Sequence, residues 1–88
     1  MNLSQLFSSD FGYEISAAGV YAMSPNTVGF IIGTTQDGAN NITLDFNTGN
    51  SIVCTDYLLK QVPYAIKPKT ITIVGTVKVL ILERINSQ

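Results

Sequence analysis

The run from Lys69 to Ile85, KTITIVGTVKVLILERI, limits what this chain can fold into more than any other stretch. Ile71, Ile73, Val77, Val79 and Ile81 share one parity, and Thr70, Thr72, Thr76 and Lys78 share the other. Successive side chains leave a strand on opposite faces, so this alternation specifies β structure with one buried face. Gly75 divides the run. A two-residue turn at Val74-Gly75 would force a β-branched residue to positive φ, whereas a three-residue loop from Val74 to Thr76 avoids this. That loop predicts a hairpin with Ile73 opposite Val77, Ile71 opposite Val79 and Thr72 opposite Lys78. A single strand kinked at Gly75 keeps the same parity but is long for a strand, which favours the hairpin.

Leu80 and Leu82 depart from the pattern. They share the parity of Thr76 and Lys78, so the last strand is apolar on both faces near its end. Two covers are open to them. One is the chain's own second layer, with Leu3, Leu6 and Phe7 of the N-terminal stretch as the candidates, because buried strands read as apolar runs. The other is a neighbouring subunit, because contiguous exposed apolar patches mark interfaces. Leu3, Leu6, Phe7, Leu80 and Leu82 are therefore the candidate interface residues, with residues 1–10 a candidate docking arm.

Earlier segments repeat the β signature. Tyr13, Ile15 and Ala17 alternate with Glu14 and Ser16, Gly19 punctuates, and Val20 to Met23 continues after a bend or bulge. Ser24-Pro25-Asn26 is turn chemistry. Val28 to Thr35 is nearly continuously apolar, as a strand covered on both faces would be. Asp37-Gly38 signals a hairpin turn, and so does Asn47-Thr-Gly-Asn50, with Ile42 to Phe46 between them and Ser51 to Cys54 after. Thr55 to Gln61 is the one interior helix candidate, stopped by Pro63 after about a turn and a half. Pro68, between Lys67 and Lys69, suits an edge that discourages stray strand addition. Turns every eight to twelve residues, with no long helical period, predict one all-β domain, a compact antiparallel sandwich or barrel of about seven or eight short strands.

At 88 residues the core of such a domain is small, and Cys54 is the only cysteine, so no intrachain disulfide supplements it. Charged residues make up 12% of the chain against a usual share of about 25%, which suits a subunit that hides surface against neighbours. A net charge of −1 gives no electrostatic case for nucleic acid or an anionic membrane. Residues 1–10 lack the basic start and apolar core of a secretory peptide, so a cytosolic site of synthesis and assembly is expected.

Catalysis is hard to seat. Histidine is absent, and Asp10, Glu14, Asp37, Asp45, Asp56 and Glu83 are scattered along the chain. Cys54, in an Ile-Val-Cys context without a histidine, suits a small buried hydrophobe better than a nucleophile. The oxygen-rich stretch Asp37 to Asn41 fails the spacing of a calcium loop, and Ala39-Asn40 stand where a phosphate loop needs Lys and Ser or Thr. No enzyme activity, cofactor or metal is expected. The competing binding reading is a small barrel that takes single-stranded nucleic acid with Lys60, Lys67, Lys69, Tyr57 and Tyr64.

The segment Tyr64-Ala-Ile66 and the run Thr70-Ile-Thr-Ile-Val-Gly-Thr-Val-Lys-Val79, at the end of a Thr-, Asn- and Gly-rich β chain, resemble the small accessory virion proteins of tailed bacteriophages. The resemblance covers residues 64–84. It implies a non-enzymatic structural role in the virion: decorating or cementing a capsid, or forming part of a tail or fibre. The implied partners are copies of the chain in a symmetric oligomer and a capsid or tail protein.

Overall fold

A computed structural model describes residues 11–84. Among these, eight strands follow one another: β1 (Phe11–Ile15), β2 (Gly19–Ala22), β3 (Thr27–Ile32), β4 (Asn41–Asp45), β5 (Ser51–Val53), β6 (Pro63–Tyr64), β7 (Thr70–Val74) and β8 (Val79–Glu83). They form two antiparallel sheets, a first of order β1-β8-β3-β6 and a second of order β2-β7-β4-β5. The domain is an all-β sandwich.

Position by position, each strand of the first sheet corresponds to its sequence neighbour in the second: β1 to β2, β8 to β7, β3 to β4 and β6 to β5. Six of the seven connections therefore pass from one sheet to the other, and only β4–β5 is a hairpin. That order is the strand plan of an eight-stranded jelly roll, which is built from two Greek keys.

Alternation explains the core. Ile15, Phe30, Ile32, Val79 and Ile81 point inward from the first sheet, and Ile42, Leu44, Ile71 and Ile73 from the second, all buried. Val77, also fully buried, joins them from the link between β7 and β8. Full burial of one such side chain stabilises by about 1.5–3 kcal/mol, so the inward set is the main favourable term.

The hairpin expected at Gly75 does not form, nor does a kinked single strand. β7 pairs with β2 and β4, while β8 pairs with β1 and β3 in the other sheet. The reason lies in the odd-numbered residues. A hairpin would point both apolar sets the same way, toward some third layer; an arch over the core lets Ile71 and Ile73 face Val79 and Ile81 across it. Gly75 makes the corner at φ +81°, and a Cβ there would stand 2.3 Å from Asn40 Oδ1 and 2.6 Å from the Ala39 carbonyl oxygen. Asn40 Oδ1 accepts hydrogen bonds from the Thr76 backbone N–H and hydroxyl, each at 3.1 Å, and so clamps the corner.

Four further expectations are corrected. Asp37-Gly38 does not turn a hairpin: it lies in the link between β3 and β4, which belong to different sheets. Asp37 Oδ1 instead accepts the Ala39 and Asn40 backbone N–H groups, both at 2.8 Å, rounding its own loop. Thr55 to Gln61 is a single turn, not a helix. Tyr57 and Leu58 both donate to the Cys54 carbonyl at 3.1 Å, and Gln61, at φ 62°, then donates to the Ile32 carbonyl at 2.6 Å, which pulls the chain onto β3 before a second turn forms. Pro68 is buried rather than on a sheet edge, and the proline at an edge is Pro63 in β6. The first strand ends at Ile15, not Ala17, and Val20 lies in the opposite sheet rather than in a continuation of it.

The Asn47 to Asn50 turn is the hairpin the sequence indicates, with Gly49 at φ +89°. β3 also carries an irregularity between Thr27 and Gly29. It lets Val28 be skipped and keeps Phe30 and Ile32 inward.

Candidate interaction surfaces

The outward positions of the first sheet follow from its register. Glu14, Leu80, Ile31 and Pro63 make one row across it, and Gly12, Leu82 and Gly29 make the next. Glu14 is the one ionisable residue among them. Leu80 is 39% exposed; Leu82, Ile31 and Pro63 are half-buried. Leu80 Cδ1 and Leu82 Cδ2 lie 3.4 and 3.7 Å from where a Cβ of Gly12 would stand, so the two leucines lean over the glycine. The predicted pair Leu80 and Leu82 is thus brought together at the middle of one face, with Ile31 added by the fold. Leu3, Leu6 and Phe7 lie outside the described residues.

A second apolar surface lies along the side where β5 and β6, the last strands of their sheets, are joined by residues 54–62. A hollow of about 350 Å³ opens there, lined by Leu44, Phe46, Ile52, Leu58, Ile66 and Tyr57, with Cys54 behind them. Its cause is local. β5 has three residues and β6 two, too few to close the inter-sheet gap, so Ile52 points inward opposite Leu44 and stays 42% exposed. Cys54 is buried, and burial pushes its thiol pKa up, as suits a small core residue. The sequence carried a signal for this surface that parity does not reveal: Ile52, Val53, Tyr57, Leu59 and Val62 are crowded into eleven residues around a turn too short to bury them.

The residues of the nucleic-acid reading are partly brought together. Lys67 and Lys69 flank buried Pro68 and line a hollow of about 410 Å³ with Met23, Pro25 and Asn47. The Lys67 ammonium donates to the Pro25 carbonyl at 2.7 Å. Tyr64 is committed elsewhere. Its ring packs on Phe30 with centroids 6.0 Å apart, and its hydroxyl accepts the Leu59 backbone N–H at 2.7 Å. Tyr57 and Lys60 are exposed on the 54–62 segment.

Three acidic residues, Asp37, Asp45 and Glu83, act as internal ties. Asp45 accepts the Ser51 hydroxyl and, at 2.8 Å, the Thr70 hydroxyl, and these bonds hold its carboxyl below the ordinary range. Bonds from Ala39 and Asn40 do the same for Asp37. Glu83 is buried at the end of β8, where Oε2 accepts the Ser24 hydroxyl at 2.7 Å and the Thr27 hydroxyl at 3.4 Å. Nearby Tyr13 has its pKa raised, first by burial and then by the Glu83 charge. Glu83 shares the parity of Ile81, so its inward direction was legible, although its hydroxyl partners were not.

No family model matches the chain, and comparison with curated proteins and with solved structures finds no match either.

Proposed function

We propose that this chain is a non-enzymatic assembly subunit of a virion, a bacteriophage capsid decoration protein in the first instance, with a tail or fibre component as the alternative built on the same surface. The observation that carries the proposal is the outer face of the first sheet. Leu80, Leu82, Ile31 and Pro63, interleaved with Gly12 and Gly29, form a contiguous apolar face, whereas the opposite outer face mixes Thr43, Asp45, Thr70 and Thr72 with the separate exposed valines Val20, Val53 and Val74. Such a face gains free energy only when another surface removes it from water, at about 25 cal/mol per Å². A contact of at least about 1,000 Å² in total makes that gain specific. Eight-stranded jelly rolls serve in viral capsids and also in lectins and cupins, so the strand plan is compatible with the role without selecting it.

The test is made on particles. Gradient-purified virions from cells expressing the chain are expected to carry it in a fixed copy number, assembled in the host cytoplasm. Leu80→Asp with Leu82→Asp is expected to remove it from the particles while the soluble protein stays folded by circular dichroism. Particles that never contain the wild-type chain overturn the proposal.

A further inference from the structure

A second surface points to a second copy of the chain. We infer that two copies associate about a two-fold axis by antiparallel pairing of β5 with β5, centred on Ile52, and that this closes the apolar hollow on each. The inference is independent of the outer face of the first sheet and of any host particle.

The register follows from the backbone. Among the described residues β5 is the last strand of its sheet, and all three of its residues are exposed. The bonds that flank the β4–β5 ladder run from Cys54 N–H to the Ile42 carbonyl at 3.0 Å and from Phe46 N–H to the Asn50 carbonyl at 2.9 Å. Even-numbered residues of β5 therefore bond to β4, and in an antiparallel pair the alternate residues point their N–H and C=O groups the other way. Ser51 and Val53 present those groups at the open edge. A two-fold axis at Ile52 sets Ser51 of each copy opposite Val53 of the other, and each such pair exchanges two hydrogen bonds.

The side chains favour the same arrangement. The open edge carries no charged residue or proline, devices by which exposed edges are kept apart. Ile52 (42% exposed) and Val53 (50%) lie in the strand itself, Tyr57 (72%) lines the hollow with Ile52, and Leu59 (70%) and Val62 (38%) belong to the segment that joins β5 to β6. Five such side chains, at on the order of 100 Å² each, offer about 500 Å² per copy, and two copies reach the roughly 1,000 Å² that a specific interface needs. The two Ile52 side chains meet on the axis on the inward side, where each caps the mouth of the partner's hollow.

Sedimentation velocity of the full chain across a concentration series is the first measurement, with a monomer–dimer equilibrium expected. Val53→Pro removes an N–H that β4 does not use, a position where an edge strand tolerates proline. It is expected to raise the dimer dissociation constant at least about tenfold while the monomer stays folded. Ile52→Cys supplies an independent readout. Opposed residues of this non-hydrogen-bonded kind stand about 4.5 Å apart at Cα, within disulfide range, so oxidised glutathione should link the two copies of that variant. Wild type, with Cys54 buried, should stay unlinked. A monomer at every concentration overturns the inference. So does a dimer that Val53→Pro leaves intact and Ile52→Cys fails to cross-link, or one that Leu80→Asp dissolves instead.

Discussion

Across the outer face of the first sheet the side chains run Glu14, Leu80, Ile31, Pro63; across that of the second they run Ala22, Thr70, Asp45, Ser51. Both rows come from the same alternation, with a buried isoleucine or leucine behind nearly every outward residue. The second row completes itself. The Ser51 and Thr70 hydroxyls both donate to Asp45, so its polar groups are satisfied between neighbouring strands. The first row has no such internal chemistry, and its leucines gain only from a surface brought to them. That polar row of the second sheet is tied within the chain and the leucine row of the first is not, although the next row of the second sheet, Val20, Thr72, Thr43 and Val53, is itself partly apolar.

That contrast can be broken from the inside outward. The largest effect is expected behind the leucines: Ile81→Ala, at a fully buried position of β8, should cost about 2–5 kcal/mol by urea unfolding. Next comes the corner that carries the chain from the second sheet to the first. Gly75→Ala combines positive φ with a contact against the Ala39 carbonyl and should cost about 2 kcal/mol or more by the same measurement.

The outer positions separate stability from association. Leu80→Asp should change unfolding free energy by about 1 kcal/mol or less and abolish particle association, whereas Val20→Asp, at a 70% exposed position on the outer face of the second sheet, should leave association unchanged and shift unfolding free energy by no more than about 0.5 kcal/mol. A Leu80→Asp chain that unfolds would place Leu80 in the core and remove the contrast.

The smallest effect concerns acid. Asp45 has a folded pKa lowered below its unfolded value of about 3.9, so its contribution is present above that pH and is lost as pH falls through the lower folded value. Asp45→Asn should lower the melting temperature slightly in the neutral region, where the carboxylate's contribution is present, and flatten the acid limb of a pH series of thermal melts below about pH 4, so that variant and wild type converge in acid.

Parity was the legible part of this protein. The burial of Ile71, Ile73, Val77, Val79 and Ile81 and the outward direction of Leu80 and Leu82 follow from period two, and the structure places them so. Turn chemistry was legible only where the turn closes on itself. Asn47 to Asn50 makes a true hairpin, but Asp37-Gly38, with the same local signature, spends its carboxylate on its own loop and hands the chain to the other sheet. The hollow beside β5 was not legible, because it arises from two edge strands that stop early at the same side.

By itself the sequence determined an all-β chain, and it determined which side of most strands faces the core, because side chains leave a strand alternately whatever that strand pairs with. Only the tertiary structure decided which strands are neighbours. A hairpin and an arch at Gly75 bury the same residues, and only the distant partners β1, β2, β3 and β4 select the arch. That selection sets Leu80 beside Ile31 and, among the described residues, leaves β5 at the end of its sheet.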